Sequence, residues 1–132
     1  MTHHMISRMA VWLLAIVMIV FGISHFMNPD AMLVYVPLYL PGGIIWVYVV
    51  GVAFILVGLA FILNRWVAVA GYILAALLVM FVLLIHLPNW RNSGDPAMRQ
   101  GAMVNILKDL AIAGFALFIA SNAKNQHLNE LE

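Results

Sequence analysis

The sequence contains no cysteine and few charged residues. Without cysteine, the chain alone offers no disulfide exchange, no thiolate catalysis and no Cys-ligated iron–sulfur or zinc site. It also lacks a phosphate-binding glycine loop, a nucleophile elbow, an HExxH helix and a CxxC pair. No short catalytic motif therefore indicates an enzyme class.

The scarcity of charge separates this chain from soluble proteins. Charged residues make up 8% of the 132 positions and hydrophobic residues 66%, with a mean hydropathy of +1.07, whereas soluble proteins average about 25% charged residues. The formal net charge is +1, and the Lys and Arg residues are scattered singly. We therefore expect the lipid bilayer as a partner and no nucleic acid.

Four apolar runs are long enough to cross a membrane. They cover approximately residues 8–26, 44–63, 67–87 and 101–120. They predict an all-α integral membrane protein, a four-transmembrane-helix bundle that forms a single membrane domain over residues 1–132, with the first run kept as an uncleaved span. Small residues such as Gly51, Gly58 and Gly71 would let helix backbones approach closely and close the bundle.

Residues 27–43 interrupt this pattern between the first and second spans. Asn28, Pro29 and Asp30 form a good helix start, and Pro37 and Pro41 prevent a long helix. We predict a short helix over approximately residues 29–36 in an interfacial or re-entrant segment that roofs the bundle. The alternative is an ordinary loop packed on lipid headgroups.

The positive-inside rule gives the orientation. With four spans, Arg8, Arg65 and Lys124 share one side, while Arg91 and Arg99 lie on the other. The side that contains Arg8, Arg65 and Lys124 thus carries three Lys or Arg residues, and the other side carries two. This excess predicts that both termini lie in the cytoplasm, and we expect a multi-pass protein of the cell (plasma or inner) membrane.

The fourth span carries three polar side chains in an otherwise apolar run. Asn105, Lys108 and Asp109 are spaced i, i+3 and i+4, so they share one helical face. A charged residue at the centre of a membrane helix costs roughly 2.5 to 3.5 kcal/mol, so these side chains should face the bundle interior. As an alternative, Lys108 and Asp109 form only a charge pair that allows the helix to insert into the membrane. Asn105 would then only form an interhelical hydrogen bond.

Two histidines should lie at the same membrane face as these residues. His25 ends the first span and His86 ends the third, so His25, His86, Asn105, Lys108 and Asp109 could converge in the outer half of the bundle and bind a ligand. Each histidine could instead be an interfacial, hydrogen-bonded residue. Haem ligation by the pair is less favoured, because a bis-histidine haem usually needs deeper ligands, and we predict no metal site.

Several short motifs, in their order and spacing, resemble the DoxX/DoxD-like family of small four-span membrane proteins. They are Gly22-Ile23-Ser24-His25-Phe26 ending span one, Gly51-Val52 and Gly58 in span two, and Asn105-Ile106-Leu107-Lys108-Asp109-Leu110 in span four. The resemblance places the family's Lys or His at His25. Many members carry a Glu in span two, where this chain has Phe54 after Gly51-Val52-Ala53.

The resemblance implies more than one function. Some members are subunits of thiosulfate:quinone oxidoreductase, some belong to other membrane oxidoreductase complexes, and a related branch resembles a receptor-assembly chaperone. We expect a subunit of a membrane-associated oxidoreductase system with a quinone- or lipid-type ligand in the outer half of the bundle, a partner oxidoreductase subunit and possible homo-oligomers. The alternative is a non-enzymatic membrane scaffold or assembly factor whose polar cluster is structural.

Overall fold

A computed structural model describes residues 2–123 of the chain. Within this range the protein forms helices and no strand, and four helical stretches are long and apolar enough to cross a membrane. The predicted all-α, four-span fold is therefore confirmed. The helices are α1 (His3–Met27), α2 (Pro29–Leu33), α3 (Ile44–Leu63), α4 (Val67–Phe81), α5 (Leu87–Asn92) and α6 (Pro96–Ser121), with a π-helical turn (Val82–His86) joining α4 to α5.

Side-chain caps extend two spans beyond their apolar runs. The Thr2 hydroxyl accepts the backbone N–H of Met5 at 3.2 Å, so α1 begins at His3 rather than near residue 8. A carboxylate oxygen of Asp95 accepts the N–H of Ala97 at 3.0 Å, and Pro96 occupies the first turn, so α6 begins five residues before the apolar run. Such caps satisfy backbone donors that the first turn leaves free.

The short helix between the first two spans forms, but it is shorter than predicted. It covers Pro29–Leu33 instead of residues 29–36, and the Asn28 side chain makes no capping hydrogen bond. Val36 precedes Pro37, whose ring disfavours the helical conformation of the preceding residue. The helix therefore ends early, and residues 34–43 continue as turns.

The third span contains a π-helical turn that the sequence analysis did not predict. Pro88 has no N–H to donate to the carbonyl of Leu84, and its ring would crowd that carbonyl. The backbone widens instead, and the N–H of Leu87 bonds to the carbonyl of Val82 five residues earlier. The span continues through this turn to Asn92 rather than stopping at residue 87.

Helices α1 and α3 pack backbone to backbone through glycines. A Cβ atom at Gly22 would lie 2.7 Å from the carbonyl oxygen of Gly51, and one at Gly58 would lie 2.7 Å from the carbonyl oxygen of Ala15. Helices α4 and α6 also pack closely at a glycine, since a Cβ at Gly71 would lie 2.8 Å from the carbonyl oxygen of Ala116. The bundle is therefore built from two tightly packed helix pairs.

A tight turn connects the two pairs. Asn64 and Trp66 adopt positive φ angles of 54° and 61°, which reverse the chain between α3 and α4 within three residues. The hydrophobic core fills the half of the bundle next to this turn and includes Phe61, Leu74 and Ile119, all almost fully buried. The other half of the bundle holds the predicted polar residues.

Candidate functional site

A cavity of about 550 Å³ occupies the half of the bundle opposite the Asn64–Trp66 turn. It lies between the α1–α3 pair and the α4–α6 pair. The connection between the first two spans contributes six residues to its wall, namely Met32, Tyr35, Val36, Pro37, Tyr39 and Leu40. The structure brings all five predicted site residues to this cavity: His25, His86, Asn105, Lys108 and Asp109. The five side chains therefore border the same cavity, and the binding of a ligand by them stays a prediction.

The most deeply buried polar contact joins His86 to Asp109. Nε2 of His86 lies 3.2 Å from a carboxylate oxygen of Asp109, and the two residues are only 8% and 3% exposed. Because an ionised carboxylate only accepts hydrogen bonds, Nε2 carries the proton in this contact. Nδ1 of His86 is buried and has no hydrogen-bond partner within residues 2–123.

Lys108 contacts the second oxygen of the same carboxylate. Its Nζ lies 3.5 Å from the second carboxylate oxygen of Asp109 and 3.4 Å from the side-chain oxygen of Asn105. It also lies 5.0 Å from the centre of the Phe21 ring on α1, within cation–π range. The Lys108–Asp109 pair is therefore charge-balanced, and Lys108 links α6 to the opposite helix pair.

Side-chain direction explains how His86 meets Asp109. The two residues lie on helices that run antiparallel, and every Cα–Cβ bond in a helix tilts toward the N-terminus of that helix. Along the common axis, the two side chains therefore point toward each other. The π-helical turn contributes as well, since it ends at His86 and alters the angular position that a continuous α-helix would give this residue.

His25 approaches the cavity from α1. Its Nδ1 lies 2.6 Å from the carbonyl oxygen of Phe21, four residues earlier on the same helix. Its ring meets Phe54 edge to face, with 5.5 Å between the ring centres. A Cβ at Gly51 would lie 2.9 Å from that of His25, so the glycine provides the space that His25 occupies.

Aromatic residues form much of the cavity wall, and most of them are not evident from the sequence. Phe21, Phe54 and Phe81 line the cavity, and the rings of Phe54 and Phe81 are 6.3 Å apart. Tyr35 reaches His86 from the segment after α2, with 6.1 Å between the ring centres. Apolar side chains are common on every face of these helices, so the sequence does not distinguish the phenylalanines that face the cavity. Tyr35 could have been identified only from its place in the segment predicted to roof the bundle.

The cavity is open on one side rather than enclosed. Several of its lining residues on α3, α4 and the π-helical turn are also exposed, namely Trp46, Val49, Met80 and Leu84. In a bilayer these apolar side chains face lipid tails. The site thus combines an apolar opening with a polar cluster.

In the part of the chain that the structure describes, the two histidines are not grouped with further metal-ligating side chains. Within residues 2–123, no three His, Asp or Glu side chains are placed to hold a metal ion. Nε2 of His86 is directed at Asp109, and its Nδ1 is buried. Haem ligation through His86 would therefore require the contact with Asp109 to break.

The four long apolar helices are those of a multi-pass helical membrane protein of four spans. A family model described as a domain of unknown function, DUF8561, matches residues 14–106, which is more than half of the chain. The protein belongs to this family. The matched region includes His25, His86 and Asn105 and ends before Lys108 and Asp109. No curated protein and no solved structure matches the chain.

Proposed function

We propose that the protein is a DoxX-like subunit of a membrane-associated oxidoreductase system, and that its cavity binds a quinone or another lipid with a polar headgroup. The observation that carries this proposal is the His86–Asp109–Lys108 cluster, in which His86 and Asp109 are buried, at the wall of an otherwise apolar cavity. Ligand sites are typically apolar with a few convergent polar groups. Lys108 would donate to a ligand carbonyl, and the aromatic walls would hold its ring.

The Phe54 position bears on the chemistry of such a subunit. Many DoxX-like proteins carry a carboxylate there, whereas this chain places a phenyl ring against His25. Among residues 2–123, the carboxylate that lines the cavity is Asp109, which already contacts Lys108 and His86. The chain would therefore hold the ligand, and a partner subunit or the bound quinol would supply electrons.

A second candidate function is a non-enzymatic scaffold or assembly factor. The observation in its favour is that the polar groups of α6 contact each other, with Asp109 contacting both Lys108 and His86. A polar cluster of this kind can fix helix register without any ligand. Ligand binding distinguishes the two functions, since only the first requires it.

Substitution of Lys108 tests the proposed site. Lys108→Ala removes the donor and is expected to weaken binding of a short-tailed quinone at least tenfold, because a hydrogen bond to a charged group contributes about 1.5–3 kcal/mol. The measurement is a quinone titration of the purified protein in mild detergent. An absorption spectrum and mass spectrometry of an organic extract would first show whether a quinone or haem copurifies.

Leu107→Ala provides the matched control, since Leu107 is the next residue on α6, is exposed and does not line the cavity. It should bind quinone like the unaltered protein. Loss of folding in Lys108→Ala, together with no saturable quinone binding by the unaltered chain, would favour the scaffold instead.

The proposed location is the cell membrane, with both termini in the cytoplasm. The positive-inside excess supports this orientation, although Lys124, one of its three residues, lies outside the described residues. Because the chain has no cysteine, single cysteines report topology without background. His3→Cys and Ser121→Cys should resist an impermeant thiol reagent in intact cells, while Gly94→Cys should react. The reverse pattern would contradict the orientation.

A further inference from the structure

The α1 side of the cavity offers a hydrogen-bond acceptor. A backbone carbonyl only accepts hydrogen bonds, so Nδ1 of His25 must donate to the carbonyl of Phe21. In the neutral imidazole this leaves Nε2 as an acceptor. Nε2 of His25 has no partner among the described residues and, unlike Nδ1 of His86, it is not buried.

The α6 side of the cavity offers donors. The ammonium group of Lys108 has three N–H bonds, and its two oxygen contacts are to Asp109 and Asn105. One N–H therefore remains for a ligand. The side-chain oxygen of Asn105 faces Lys108, so the NH₂ group of Asn105 is a further donor on this side.

Phe21 connects the two sides and indicates the shape of the ligand. The carbonyl oxygen of Phe21 accepts a hydrogen bond from Nδ1 of His25, and the Phe21 ring lies below Nζ of Lys108. Phe54 and Phe81 continue the aromatic surface within the same cavity. Aromatic rings favour offset or edge-to-face contact with another ring. A flat ring with one oxygen toward α1 and another toward α6 suits this arrangement.

We propose that the cavity prefers a dihydroxy aromatic ring, the quinol, over the corresponding quinone; this rests on the proposed quinone site. One quinol hydroxyl donates to Nε2 of His25, and the second oxygen accepts from Lys108. A quinone has two acceptor oxygens, so it satisfies Lys108 but places a carbonyl oxygen against the lone pair of His25. His25 is then the residue that distinguishes the two redox forms.

One additional neutral hydrogen bond corresponds to about two- to tenfold tighter binding. A ligand site that favours the reduced form also raises the reduction potential of the bound couple. For a two-electron couple, a tenfold preference corresponds to about 30 mV.

The experiment measures dissociation constants for one short-tailed quinone and its quinol. It uses the full chain in mild detergent without oxygen, and we expect the quinol to bind about two- to tenfold more tightly. His25→Phe keeps a ring but removes the acceptor, so the ratio of the two constants should fall to about one. His25→Gln restores an acceptor oxygen and should recover part of the ratio.

Each outcome decides between the two proposals. Equal affinity for both redox forms in the unaltered protein would overturn the preference and leave the quinone site standing. Saturable binding of neither form would overturn the proposed function itself. An unchanged ratio in His25→Phe would show that His25 is not the acceptor. Lys108→Met should weaken both forms to the same extent, because both have an oxygen that accepts from Lys108.

Discussion

Asp109→Ala is expected to lower the free energy of unfolding by about 1–3 kcal/mol, the cost of leaving the buried Nε2 donor of His86 without its partner. The substitution leaves the Lys108 ammonium without its counter-ion and Nε2 of His86 without its acceptor. This cost exceeds the average of about 0.6 kcal/mol for an interhelical hydrogen bond in a membrane protein, because a buried donor is left without an acceptor. Reversible unfolding in mixed micelles measures it.

Removal of both charges separates the two effects of this substitution. The double variant with Lys108→Met and Asp109→Leu should be more stable than Asp109→Ala, because it leaves no uncompensated charge. Both variants remove the acceptor of His86 Nε2, so the difference between them measures the contribution of the Lys108 charge alone. Leu110→Ala, at an exposed position next to Asp109, controls for the loss of apolar volume. A free energy of unfolding for Asp109→Ala close to that of the unaltered protein would show that the contacts of Asp109 with His86 and Lys108 do not stabilise the fold.

Gly58→Ala is expected to lower the free energy of unfolding by about 1–3 kcal/mol, the usual cost of overpacking. The new Cβ would lie 2.5 Å from a side-chain carbon of Ile19 and 2.7 Å from the carbonyl oxygen of Ala15. Ile19 can shift its side chain, but the Ala15 carbonyl belongs to the α1 backbone and cannot move without separating α1 from α3. The same unfolding measurement checks this result.

Gly114→Ala is the matched control, because a Cβ there would meet nothing within 4 Å. Alanine is favoured over glycine in a helix by about 0.8–1 kcal/mol, so this variant should be as stable as the unaltered chain or slightly more stable. Equal effects of the two substitutions would contradict the close α1–α3 packing.

The spans and the polar face of α6 could be predicted because each depends on local sequence. A continuous apolar run of about 20 residues has the length of a membrane-spanning helix, and a helix satisfies all of its backbone hydrogen bonds within the bilayer. The i, i+3 and i+4 spacing of Asn105, Lys108 and Asp109 places them on one side of any α-helix. The alternation of four spans then brought His25 and His86 to the same end of the bundle.

The His86–Asp109 contact, the helix starts and the aromatic cavity wall could not be predicted, because composition and hydropathy do not indicate them. The pairing of His86 with Asp109 requires the relative height of two helices and the altered angle produced by the π-helical turn near Pro88. The caps at Thr2 and Asp95 lie outside the apolar runs, so hydropathy alone placed the helix starts too late. Phe54 and Phe81 are indistinguishable in sequence from aromatic residues that face lipid.

The tight turn at Asn64–Trp66 gives the molecule a lever-like geometry. Each helix pair is stiff because its backbones touch at glycines, whereas the cavity separates the two pairs at the end away from the turn. From the turn, α3 extends about 30 Å, so a 5° rotation of one pair would change their separation at the far end by about 2.6 Å. A small rotation of one helix pair at one membrane surface would thus produce a larger change of cavity width near the other.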